Sequence, residues 1–226
     1  ENLSDPTDPE RQGDIIADLL TTYLSASEFI KVVSSQRLYD LAKHESGNND
    51  GRIDKGEALQ IAKKAGATRM LTGSLSKLSG RPIISAQIVE VSTGEVIGAE
   101  RVDGEDLFAM VDDLSFRIKK RIGLSETQAL AGDIPVSEAT TDNPEAYRAY
   151  LNGMELYHAL DWDEAHAYFD KAIALDSTFA LAYLRKGIAY FSDGRSEEGF
   201  KQMAITRRFM DSVPTCERLL VQALAV

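Results

Sequence analysis

The sequence predicts an α/β (α+β) unit with a mixed or antiparallel sheet over residues 1–123, followed by an all-α solenoid of helical hairpins over 143–226, with a linker at 124–142. Three observations carry this. The runs RMLTGSLSKL, PIISAQIVEV and EVIGAERV are rich in β-formers and are separated by SGRP and STGE, turn signals with glycine where positive φ is wanted. Leu107, Val111, Leu114, Ile118 and Ile122 recur every three or four residues, the spacing of a long amphipathic helix able to cover one sheet face. Gly153 and Gly187 stand 34 residues apart in matching surroundings, the mark of a repeat array whose units stack on one another.

Before the sheet, Ile16, Leu20 and Leu24, flanked by Ile15, Leu19 and Tyr23, predict a helix from about Gly13 to Ser25. FIKVVS reads as a short strand. Ser35 then caps a second helix carrying Leu38, Tyr39, Leu41 and Ala42, and a third runs from Asp54 to Ala65 and stops at Gly66. The three β runs follow as an antiparallel meander, then the long helix, closed by Gly123. The linker is polar, with Pro135, and Leu130, Ile134 and Val136 are the residues able to pack it on either unit. Asn143, Pro144 and Glu145 make a helix start, a cap residue followed by proline in the first turn where no N–H is required.

In the repeat region, AYLNGMELYHALDWDEAHAYFDKAIALD aligns on AYLRKGIAYFSDGRSEEGFKQMAITRRFMD. Leu156 falls on Tyr190, Tyr157 on Phe191, Ala165 on Gly199 and Phe169 on Met203. Gly153 and Gly187 allow close helix approach, Ala165 and Gly199 supply the facing small surface, and Phe169 and Ala172 fill the space below. On these residues the segment 144–211 resembles the tetratricopeptide repeat (TPR) family. In the second unit Gly199, Met203 and Thr206 replace alanine, aromatic and alanine, which makes that hairpin less regular. SVPTCERLLVQALAV is similar to the first helix of a third unit. Its apolar Leu219, Leu220, Val221 and Leu224 point to a fragment of a longer protein, since a solenoid ends in a polar cap.

ENLS at the start, AGATRMLTGSL, and AQIVEVSTGEVIGAERVDG followed by an LF helix resemble the TolB amino-terminal type of domain, related in architecture to FlgO and CsgG-like proteins. The resemblance implies that a hydrophobic first strand belongs ahead of Glu1. Its members act in envelope assembly or as regulatory modules. Together with tetratricopeptide repeats, such a domain is similar to the sensory or scaffolding portions of bacterial kinases, adenylate cyclases and winged-helix regulators. No kinase or cyclase motif occurs in these residues, so an output domain is expected elsewhere in the full-length chain.

A net charge of −11 argues against nucleic acid as a partner, because phosphate binding rests on clustered Lys and Arg. Cys216 stands alone and can form no intramolecular disulfide, which suits a bacterial periplasm or cytoplasm alike. No apolar run reaches the roughly 20 residues that span a bilayer, so no direct membrane insertion is expected of these residues.

Four groups of residues could bear chemistry. SGNNDGRIDKGE can be laid on a calcium loop through Asn48, Asp50, Asp54 and Glu57, but Ser46 stands where the first carboxylate belongs. The same residues also make an NNDG turn and an Asp54/Glu57 capping box, with Ile53 stapled on Ala58, and this reading is preferred. His44, His158 and His166 lack zinc-pair spacing and read as partly exposed helix residues. The acids Asp112, Asp113, Asp161, Asp163 and Glu164 read as solvated helix faces or turns, and Cys216 as an unactivated thiol.

The expectation is therefore a protein without catalytic activity or cofactor, a scaffold or regulatory module that binds a protein, peptide or helix. The tetratricopeptide resemblance places the binding groove on Tyr147, Tyr150, Met154, Tyr157, Leu181, Leu184, Ile188 and Phe191. Tyr150 and Met154 occupy positions where a carboxylate-clamp member needs Lys and Asn. The alternative is intramolecular: the same residues pack against the α/β unit. A different function is a small-ligand sensor, with a polar cleft near Gly73 and Gly94 signalling through the repeats. A hydrolase would instead show converging carboxylates.

Overall fold

The computed structural model describes residues 7–34, 37–38, 40–42, 54–131, 135–213 and 215–224. Helix α1 spans Gln12–Ser25 and α2 spans Lys55–Ala65. Three strands follow, β1 (Arg69–Leu78), β2 (Arg81–Glu90) and β3 (Val96–Asp103). After them come α3 (Leu107–Arg121), the short α4 (Glu126–Leu130) and α5 (Val136–Ala139), then α6 (Pro144–His158), α7 (Trp162–Leu175), α8 (Ala180–Ser192) and α9 (Ser196–Thr206). A 3-10 turn, Arg207–Ser212, leads into α10 (Thr215–Ala223).

This arrangement corrects the expected fold class. The described chain opens on a helix, its sheet is a small three-stranded one in mid-chain, and helix predominates before and after it. FIKVVS is not a strand: its first residue ends a turn, and residues 30–34 run on without a ladder. β propensity supplies side chains that suit a sheet but no neighbour to accept the backbone hydrogen bonds, and among the described residues these have none in the sheet. Ser35, Tyr39 and Ile53 lie outside the described residues, as do Glu1 to Pro6, His44, Asn48 and Asp50.

The meander itself is regular. β1 pairs antiparallel with β2, Leu75 opposite Ile84, and β2 with β3, Ile84 opposite Val102, with one irregularity between Ile88 and Val89. The period of two puts Leu75, Ile84, Ala86, Ile88 and Val102 on one buried face. Helix α3 lies on that face through Val111, Leu114 and Ile118. Its N-terminus is capped by Asp106, whose carboxylate accepts from the N–H groups of Phe108 and Ala109. Ser79 and Gly80 take positive φ in the first turn and Gly94 in the second. The α2 N-terminus carries the expected capping box, Asp54 accepting from Gly56 and Glu57 while Glu57 accepts from the Asp54 N–H.

The linker is structured where it is described. Val136 and Ala139 are buried, the Val136 N–H donates to the Asp112 carboxylate, and one apolar core continues from the sheet into the hairpins. Leu130 is exposed and Ile134 lies outside the described residues. Asn143 caps α6 through the N–H groups of Glu145 and Ala146, with Pro144 in the first turn. Helices α6 and α7 form one hairpin, α8 and α9 the next, and α7 packs on α8. The facing surfaces are those of the small residues: an added Cβ at Gly153 would meet Phe169, and one at Gly199 would meet Phe191. Phe169 and Ala172 have no exposed surface.

Candidate functional site

Four of the eight expected groove residues are core. Tyr147 and Leu184 have no exposed surface, and Tyr150 and Leu181 are buried as well. Tyr147 stacks on Phe179 at 5.9 Å and Tyr150 tilts against Phe179 at 5.2 Å and Phe169 at 6.2 Å. A partner groove running through these four positions is therefore corrected. Met154, Tyr157, Ile188 and Phe191 stay half-buried. Tyr157 sits edge-on to Trp162 at 5.4 Å and its hydroxyl meets the Ser192 hydroxyl at 3.2 Å, while Phe191 makes an edge contact with the exposed Phe200 at 5.0 Å.

Part of what covers the buried end is α1. The Tyr147 hydroxyl donates to Asp18 Oδ2 at 2.7 Å, and the Arg11 guanidinium donates to Asn152 Oδ1 at 2.5 Å and Glu155 Oε2 at 2.9 Å. Residues 11 and 18 are two helical turns apart and meet residues 155 and 147 in reverse order, so α1 runs antiparallel along α6. Beside them Arg185 of α8 pairs with Glu217 of α10 and lies against Tyr150. Burial raises the Tyr150 phenol to about 12 and holds Tyr147 well above its usual range. Asp18 is raised too, first by burial, against the Tyr147 hydrogen bond and the Arg185 charge. The one signal in the sequence is an acid inside the apolar stretch IIADLL.

The opposite stripe of α1, Gly13, Ile16, Ala17, Leu20, Thr21 and Leu24, lines a cavity of about 810 Å³. β1, β2, α3 and residues 29–33 supply most of its other walls. It includes Gly73, as the sensor reading required, but not Gly94, which packs against Leu59, and its lining is mostly apolar rather than polar. The lining residues 69–75 and 29–33 are consecutive. A strand face would offer every second residue, so β1 turns its outer edge toward the space.

The remaining candidates are placed as follows. Asp54 and Glu57 are engaged in the capping box, and among the described residues no group of three or more His, Cys, Asp or Glu is placed to hold a metal ion. Among the same residues no helix is long and apolar enough to cross a membrane. The Cys216 side chain lies outside what is described. His158 is half-buried, but His166 is a correction, buried rather than partly exposed. Its ring stacks on Tyr190 at 3.9 Å, 3.6 Å from the Asp193 carboxylate, because neighbouring hairpins close over it. Asp161 sits at the α7 N-cap without a side-chain cap bond.

No family model matches the chain. Over 167 residues, 69% of this chain, it is 25% identical to "Putative adenylate cyclase 3" of Rhizobium meliloti (strain 1021), and it spans 27% of that relative's length. The expectation of a protein without catalytic activity is corrected by that match, since the relative carries an enzyme's name. Among solved structures, the LpoB C-terminal domain from Salmonella enterica is similar over 36% of this chain and 62% of that one, at 25% identity and a TM-score of 0.33. The LpoB C-terminal domain from Escherichia coli is similar over 33% and 56%, at 26% identity and a TM-score of 0.30. Scores of this size do not establish a common fold.

Proposed function

We propose that this chain is a protein-binding region of a larger bacterial signalling protein, with adenylate cyclase activity in the whole. Its hairpins would be of the tetratricopeptide type and its sheet unit of the TolB amino-terminal type. The observation that carries the reading is the half-open end of the stacked hairpins, where Met154, Tyr157, Ile188, Phe191 and the exposed Phe200 form an aromatic and aliphatic surface. Large aromatic area at low entropy cost suits an amphipathic helix or apolar peptide. The match to the putative cyclase supports a place in a signalling protein. The test is affinity capture with the parent and with a Tyr157→Ser, Phe200→Ser variant shown to be folded by circular dichroism. A defined protein retained by the parent and lost from the variant supports the surface. Equal capture by both removes it.

A second reading is favoured by the cavity, as the binding cleft of a sensor or as the place of the strand that the family resemblance puts ahead of Glu1. The outer edge of β1 along it supports the strand. An apolar fluorescent probe that binds this chain but not a chain extended ahead of Glu1 would mean that the strand fills it. Probe binding by both would favour a ligand cleft.

A further inference from the structure

Arg11, the N-cap residue of α1, has a left-handed backbone, φ 53° and ψ 34°. That conformation disfavours a residue with a side chain by roughly five- to thirty-fold. Asp8, also at positive φ, builds the turn: its carbonyl accepts the Arg11 N–H at 2.8 Å, and its carboxylate accepts the N–H groups of Gln12 at 3.0 Å and Gly13 at 2.8 Å. Nothing in that local bonding calls for a side chain at position 11, and glycine would take the same φ without strain. What the arginine adds lies across the seam between α1 and α6. Its Nη1 donates to Asn152 Oδ1 at 2.5 Å and to Glu155 Oε2 at 2.9 Å, while its Nε donates to Asp14 at 2.9 Å. Asn152 and Glu155 stand three residues apart on one face of α6, and three acceptors fix one planar group in orientation.

We propose that the turn at Arg11 is a strained latch: the grip on Asn152 and Glu155 holds residue 11 left-handed, so release of α6 and loosening of the first turn of α1 are one event. The Tyr147 bond to Asp18, two helical turns on, keeps the rest of α1 docked and confines the loosening to its start. The effect reaches the cavity. Gly13, whose N–H the same turn holds, is part of the cavity wall, with Ile16 and Ala17 in the next turn. A partner's lysine or arginine competing for Glu155 on the first hairpin therefore loosens the wall of a cavity that lies against the sheet. The latch thus connects a hairpin surface to the cavity through one side chain.

The test is nuclear magnetic resonance of four proteins: the parent, an Asn152→Ala, Glu155→Ala variant, Arg11→Gly, and Arg11→Gly combined with both α6 substitutions. Scalar couplings across φ of residue 11 report its backbone. Amide exchange of Gly13 and Ile15 reports the turn, since the Ile15 N–H donates to the Arg11 carbonyl at 2.9 Å. With the α6 acceptors removed, residue 11 should leave the left-handed region, and both amides should exchange roughly five- to thirty-fold faster, the size of the strain no longer opposed. In Arg11→Gly the turn needs no grip, so the α6 substitutions should leave the same amides unchanged. A left-handed Arg11 that persists without the Asn152 and Glu155 acceptors overturns the proposal, as does equal acceleration in both backgrounds. Should the α6 double variant fail to fold, Glu155→Ala alone, at a side chain 67% exposed, must move residue 11 and both amides in the same direction.

Discussion

Phe169 lies directly beneath Gly153: a Cβ at position 153 would stand 2.8 Å from two carbons of its ring, and the ring has no exposed surface. The hairpin is closed by the absence of a methyl group. At Gly187 the nearest obstacle is the terminal methyl of Met203, a side chain that can turn aside.

Gly153→Ala is therefore expected to destabilise the chain by about 1–3 kcal/mol through overpacking, less whatever the better helix propensity of alanine returns. Gly187→Ala should fall well short of that. Urea denaturation of both variants checks the order, and equal losses would mean that the Phe169 ring moves as freely as the methionine.

Glu217→Ala should cost more than a surface substitution. It leaves the Arg185 guanidinium in the buried cluster without its carboxylate, a change worth roughly 3–5 kcal/mol when a buried pair is broken on one side. The expected sign is a lowered midpoint together with early exchange of the α10 amides. Loss of the α10 amides alone, at an unchanged global midpoint, would assign Glu217 only to holding the last helix.

His166 gives a pH dependence of definite sign. Burial, then Arg195, pulls its pKa below the ordinary value, so the unfolded chain takes the proton more readily and stability falls as pH drops below about 6.5 toward the lowered value. His158 adds in the same direction. His166→Phe keeps a ring on Tyr190 and should flatten its share of that slope in thermal melts between pH 7.5 and 5. A slope unchanged in the variant would place the titration elsewhere.

Asp54→Ala should destabilise by ~1 kcal/mol, the usual loss of a capping residue, because its carboxylate accepts two backbone N–H groups at the start of α2. Asp54→Asn should keep most of this stability in the same denaturation series. A loss on Asn as large as on Ala would indicate that charge rather than hydrogen bonding holds the turn.

What could be read in advance were features whose cause is local. The glycine turns of the meander, the spacing of Leu107 to Ile118, the Asn143 and Pro144 start and the Gly153 to Phe169 fit each rest on residues close together in sequence. Features with a distant partner were not legible. FIKVVS has strand-forming side chains, but whether a neighbouring strand exists is no property of those residues. Tyr147 looks like a groove residue until Asp18, 129 positions earlier, covers it. The sequence left open whether the candidate groove packs on the α/β unit; at its buried end the Tyr147–Asp18 contact takes that alternative, while Met154, Tyr157, Ile188 and Phe191 keep partly open places.

The separation between Asp18 and Tyr147 also bears on synthesis. A ribosome adding about 5–20 residues each second needs on the order of 10 s to pass from one to the other, far longer than a helix takes to form. For that interval Arg11 and Asp18 on α1 have neither Glu155 nor Tyr147 to meet. That face of α1 therefore stays open until the first hairpin has emerged, which makes its docking a late step during synthesis.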